Sequence, residues 1–156
     1  MDLDLLRSVS IFRNLDDQEL IAVSNLFSSR EAKHGERIVE EGAPVAHLFI
    51  ICDGVVHVRR LAQKREILLN RLGVGMFFGE INLFDPGVAT ASIYAMKNVR
   101  LATVDFTTLR EFMEANPATG YKLVSAMMVE TVRRLRATSA RLINSIYWSS
   151  GDTGAA

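Results

Sequence analysis

Residues 35–58 read GERIVEEGAPVAHLFIICDGVVHV. Short apolar runs, rich in β-branched and aromatic residues, are cut here by Gly42 with Pro44 and again by Gly54. Runs of that length, punctuated by glycine and proline, predict strands joined by tight turns. The rhythm continues through EILLNRL, TASIYAM and VRLATVD, with Gly35, Gly73, Gly75, Pro86 and Gly87 marking further turns. Many short strands with no long helix between them predict an antiparallel sandwich or jelly roll over residues 31–105. Within it FGEINLF breaks the alternation and reads as a single helical turn.

On both sides the period becomes helical. Residues 1–30 form an expected helical cap, in which Asp16 and Glu19 have the capping-box spacing and Leu20, Val23, Leu26 and Phe27 follow at helical intervals. Residues 106–148 hold a short helix, TTLREFMEAN, and then a long one that starts near Pro117 and meets no breaker. Met128, Val132, Leu135, Ser139, Leu142 and Ile146 alternate steps of four and three on it, the pattern of a coiled-coil seam. The expectation is a homodimer formed through this helix, which extends past the strands it could cover. Residues 149–156 are small and polar and are expected to be a flexible tail.

Bulk composition narrows the function. The 156 residues are 49% hydrophobic, enough for a packed core. Eighteen basic residues balance eighteen acidic ones, without the basic surplus common in proteins that grip DNA. The single cysteine, Cys52, excludes an internal disulfide framework and lies in an apolar strand as a small hydrophobe. No apolar run is long enough to cross a bilayer and no signal peptide opens the chain. The expectation is a cytoplasmic protein that binds no membrane. His47, Cys52 and His57 do not gather as metal ligands, and no nucleophile elbow, Walker loop or histidine–carboxylate cluster is present, so neither a metal site nor an enzyme is expected.

Four stretches in order, GERIVEEGAPVAHLFIICDGVVHV, LGVGMFFGEINLF, TASIYA and RRLRATSARL, resemble the cyclic-nucleotide-binding domain, specifically the effector half of the CRP/FNR regulators. The resemblance spans roughly residues 12–146. It implies a mainly β fold with α: an antiparallel β jelly roll flanked by N-terminal helices and a long C-terminal dimerisation helix. It also implies a bacterial-type signalling protein and a cyclic nucleotide as the possible ligand. On this resemblance Gly79 lets backbone approach the ligand, Glu80 accepts from the ribose 2′-hydroxyl, and Thr90 bonds a phosphate oxygen. Thr138 and Ser139 reach the purine, one from each subunit, and Arg134 approaches the ligand near Glu80. The chain ends within a few residues of the long helix, so no DNA-reading element, and no direct DNA binding, is expected.

One position departs from the pattern. Members that bind cyclic nucleotides carry arginine in a frame like R-x-A-x-V-x-A, and this chain reads A-T-A-S-I-Y-A, with Ala89 in the arginine's place. Leaving a buried charge without its partner costs on the order of 3–5 kcal/mol. At about 1.4 kcal/mol per decade, a micromolar site becomes millimolar or worse. Backbone donors and Thr90 recover roughly 1–2 kcal/mol of this. Three compensations stand open at this level: Arg134 turning to the phosphate, Arg59 or Arg60 entering from a neighbouring strand, or a different ligand, such as a neutral effector or a larger nucleotide gripped elsewhere. Glu80 also has two readings, a ligand acceptor or a helix N-terminal acid. Thr138 and Ser139 likewise fit either a ligand site or a dimer seam, and the basic run around Arg134 reads most simply as a solvated helix face. The expected function is regulation through a protein partner in a signalling pathway, with weak or no binding of cyclic mononucleotides. The alternative is a second-messenger receptor that binds a cyclic mono- or dinucleotide in an altered mode.

Overall fold

The capping box expected at Asp16 closes as a reciprocal pair: the Asp16 carboxylate accepts from the Glu19 N–H at 2.8 Å, and Glu19 accepts from the Asp16 N–H at 2.9 Å. It starts helix α2 (Asp17–Ser24). Before it lie α1 (Leu3–Ser8) and a 3-10 turn at Ser10–Phe12. The structure, a computed structural model, describes residues 3–151. Leu20 and Val23 are buried on α2, whereas Leu26 and Phe27 lie beyond its end and pack against the same core.

Eight antiparallel strands follow: β1 (Ser28–Ala32), β2 (Arg37–Val39), β3 (His47–Asp53), β4 (Val56–Ala62), β5 (Arg65–Leu72), β6 (Phe77–Phe78), β7 (Ser92–Ala95) and β8 (Val99–Asp105). They form two four-stranded sheets, ordered β1-β8-β3-β6 and β2-β7-β4-β5, the jelly-roll arrangement expected from the sequence. Strand β1 begins inside the stretch expected as helical cap, because SSREA is a polar strand that carries no apolar alternation. Strand β6 is only two residues long.

The unbroken apolar run of β3 has a physical reason. Its residues are buried on both faces, Leu48, Ile50 and Cys52 toward the helices and Phe49 and Ile51 into the space between the sheets. Phe77 and Phe78 divide in the same way. Two cores result, one between the first sheet and the helices and one inside the sandwich. Burial pushes the Cys52 thiol above its ordinary pKa.

The β4–β5 hairpin turns at Gln63 and Lys64, both at positive φ, and exposes Leu61, Ile67, Leu68 and Leu69. After β8, Asp105 caps α4 (Phe106–Ala115) by accepting from the Thr108 N–H at 2.9 Å. Pro117 opens α5 (Pro117–Gly151), which continues past the start of the expected tail; the remainder of that tail lies outside the described residues. The first turns of α5 bury Leu123, Ala126 and Met127 against the helical core. Lys122 tethers the same segment to Glu19 at 2.7 Å. Farther along, Arg134 and Arg141 still reach the sandwich, while the apolar positions Met128, Leu135, Leu142 and Ile146 are all more than half exposed.

Candidate functional site

Gly79 joins β6 to α3 (Glu80–Phe84) with φ of +91°, a conformation that side chains strain to adopt. A Cβ there would lie 2.5 Å from the carbonyl oxygen of His47. The close approach that demands glycine is therefore to strand β3, a packing requirement independent of any ligand. It seats α3 directly on the sheet and fixes where Glu80 emerges.

Beside this turn is a cleft of about 260 Å³. Gly79, Glu80, Ala89, Thr90, Arg134 and Thr138, six of the seven residues expected at a ligand site, line it together. Ser139 does not: it is exposed, one helical step round from Thr138, and turned away from the cleft of its own chain. The remaining walls are largely apolar, with Val58, Leu69, Leu72 and Ile93 among them.

Glu80 is 6% exposed. Arg134 reaches it from α5, donating through Nη1 to Oε1 at 3.1 Å, and through Nη2 to the Phe77 carbonyl at 2.7 Å. Its Nε lies 3.6 Å from Glu130 Oε1, and its guanidinium sits 4.6 Å from the centroid of the Phe77 ring. Arg134 is thus not part of a solvated face; its role as a half-buried anchor corrects the simplest reading of the basic run. The available sign was spacing: Glu130, Arg134 and Arg141 fall at i, i+4 and i+11, on one side of the helix. Burial pushes the Glu80 carboxyl above its ordinary value, and the Arg134 charge partly offsets this.

The other basic residues considered for the cleft are engaged elsewhere. Arg59 pairs with Glu66 at 3.5 Å and lies over the Tyr94 ring. Arg60 pairs with Glu41 at 3.5 Å. Arg141 donates to the Leu69 carbonyl at 2.8 Å, tying the β4–β5 hairpin to α5, a contact not anticipated from the sequence. Asp85 does not line the cleft.

Ala89 is buried, and its backbone is fully paired: its N–H donates to the Ala43 carbonyl and its carbonyl accepts from the Gly42 N–H, both at 2.8 Å. Asn82 closes the loop by donating to the Val88 carbonyl at 3.2 Å. Among the described residues, no group of three or more His, Cys, Asp or Glu is gathered as a metal ion would need, and no helix is long and apolar enough to cross a membrane.

A double-sheet jelly roll whose cleft is bounded on one side by a short helical turn and on the other by a long C-terminal helix is the architecture the structure places around these residues. The chain belongs to the cyclic nucleotide-binding domain family, whose sequence profile matches residues 29–116. It is 30% identical over 92% of its length to a CRP-like cAMP-activated global transcriptional regulator of Mycobacterium tuberculosis, and spans 63% of that protein. Its fold matches the N-terminal domain of a transcriptional regulator from Streptomyces coelicolor, with a TM-score of 0.73, 29% identity and coverage of 89% of this chain and 95% of the other. A cyclic nucleotide-binding domain from Methylobacillus flagellatus superimposes with a TM-score of 0.83 at 20% identity, covering 92% of this chain and 81% of the other, a likeness of fold alone.

Proposed function

We propose that this chain is a non-enzymatic regulatory domain that pairs through α5, signals by contact with a protein partner, and binds simple cyclic mononucleotides weakly or not at all. The observation that carries this reading is the charge state of the cleft. Among the described residues its one cation, Arg134, is already committed to Glu80 and the Phe77 carbonyl, and Ala89 occupies the place where the family's phosphate-binding arginine is expected. A cyclic phosphate entering there would meet no free guanidinium, which alone accounts for about three decades of lost affinity. Dimerisation is supported by the exposed stripe of Leu135, Leu142 and Ile146, since apolar rows of this kind on a projecting helix are stabilised by a twin. The output would be a shift of α5 relative to the sandwich, pivoting where Arg134 meets Glu80.

A second reading, a receptor that holds a cyclic mono- or dinucleotide in an altered mode, is favoured by the convergence of Glu80, Thr90 and Thr138 on one cleft. Calorimetric titration with cyclic AMP, cyclic GMP and cyclic di-GMP separates the two, with Ala89→Arg in parallel. Silence in the wild type and binding by Ala89→Arg support the partner-driven reading. Low-micromolar binding by the wild type rejects it.

A further inference from the structure

The cleft can be described by what its polar groups have left to offer. Among the described residues, its only ionisable lining side chains are Glu80 and Arg134, and they neutralise each other. Glu130, 3.6 Å from Arg134 Nε, adds further negative charge behind the pair. The side-chain charge facing a ligand is therefore neutral to negative, and an anion entering it would gain only from backbone donors and Thr90.

The hydrogen-bonding inventory points the same way. The Ala89 N–H is used by Ala43 and the Asn82 amide donates to Val88, so two of the loop's donors are occupied. Thr138 donates its hydroxyl hydrogen to the Arg134 carbonyl at 2.9 Å, which leaves only lone pairs toward the cleft. Glu80 is an acceptor with roughly four lone-pair sites when ionised, and Arg134 fills one. Acceptors dominate on the side of Glu80 and Thr138, while the facing wall of Val58, Leu69, Leu72 and Ile93 is apolar. A phosphate brings only acceptors and charge; sugar hydroxyls and an exocyclic amine bring donors, and a planar base brings an apolar face.

We infer that the cleft takes an uncharged, donor-rich ligand of the nucleoside class in preference to the corresponding cyclic phosphate. The inference rests on the proposed weak binding of cyclic mononucleotides and adds to it the chemistry of what is bound instead. Glu80 accepts a sugar hydroxyl, Thr138 accepts from the base, and the Ala89 methyl offers a phosphate no charged or hydrogen-bonding partner.

The test is calorimetry on the wild-type chain with adenosine and guanosine, each compared with its own 3′,5′-cyclic monophosphate. At least one nucleoside is expected to bind tenfold or more tightly than its cyclic phosphate. Thr138→Val, an exposed position whose loss leaves the fold intact, should weaken that nucleoside about fivefold or more, and Ala89→Arg should reverse the preference. If neither nucleoside binds at millimolar concentration while Ala89→Arg binds a cyclic nucleotide, the ligand class is wrong and the partner-driven reading stands. If the wild type binds a cyclic phosphate as tightly as its nucleoside but only weakly, the ligand class alone is wrong; if it does so at low-micromolar affinity, both readings fall.

Discussion

Arg134 and Glu80 lie 54 residues apart in the chain and meet at 3.1 Å, so one bond joins the long helix to the floor of the cleft. Arg134 also holds the Phe77 carbonyl at 2.7 Å, which anchors α5 to the strand that leads into α3. Under the proposed reading, a ligand that engages Glu80 would act on this bond, and through it on the direction in which α5 projects. On the proposed mechanism this bond is what would link occupancy of the cleft to the geometry of the helix.

Replacing Arg134 by Met retains most of the aliphatic bulk and removes the charge. Glu80 is then buried without its partner. Destabilisation is expected toward the lower end of the roughly 3–5 kcal/mol typical of broken buried pairs, because Glu80 can take up a proton. Urea unfolding measures it, and an unchanged midpoint would mean that α5 is held in place by its apolar contacts alone.

The pH dependence follows from the direction of the Glu80 shift. Its folded pKa is raised above 4.5, chiefly by burial, so above that pH the native state binds more protons than the unfolded state. Its contribution to stability is therefore largest at low pH and declines as pH rises from 4.5 through the folded value. Glu19, Glu36 and Asp105 are shifted downward, Glu19 mainly by Lys122, Glu36 mainly by the Lys33 N–H and Asp105 mainly by Thr108. Their contributions are present above the ordinary carboxylate values and are lost as pH falls through the lowered ones. Melting curves of Glu80→Gln against the wild type should diverge on the rising side of 4.5 and keep a common loss in acid.

Gly79→Ala tests the seating of α3. The new methyl would sit 2.5 Å from the His47 carbonyl oxygen on a backbone with φ of +91°. A residue held in such a conformation costs about 1–3 kcal/mol before the steric overlap is counted. Thermal denaturation should show a large drop in Tm, while Ala at Gly42, which has open space around it, should cost less.

Leu135→Lys combined with Leu142→Lys tests pairing through α5. Both residues are exposed in the single chain, at 64% and 60%, so the fold of the sandwich should be unaffected. Sedimentation equilibrium should report a dimer for the wild type and a monomer for the double variant, with unchanged circular dichroism. A wild type that stays monomeric at high micromolar concentration would remove the α5 pairing from the proposed mechanism.

Much of the architecture is legible along the chain because the forces that shape it are local. The capping box at Asp16 and Glu19 needs only a three-residue spacing, and Pro117 sits at the first position of α5, where its missing N–H costs nothing. The apolar run HLFIIC reports a strand covered on both sides. What escaped the sequence reading lacks such a local mark. Strand β1 is polar, β6 is two residues long, and the Gln63–Lys64 turn uses positive φ without glycine. These elements exist because their neighbours in space pair with them.

The same division runs through the site. The sequence alone determined that a glycine precedes Glu80, that Ala89 stands where a cation would be expected, and that an apolar stripe continues along the last helix. Only the tertiary structure decided that Arg134 is occupied by Glu80 and Phe77, that the Ala89 N–H and the Thr138 hydroxyl hydrogen are already used, and that the Gly79 constraint comes from His47. The reason is physical: a residue's identity states how many charges and hydrogen bonds it can offer, whereas the partners that use them arrive from distant segments through packing.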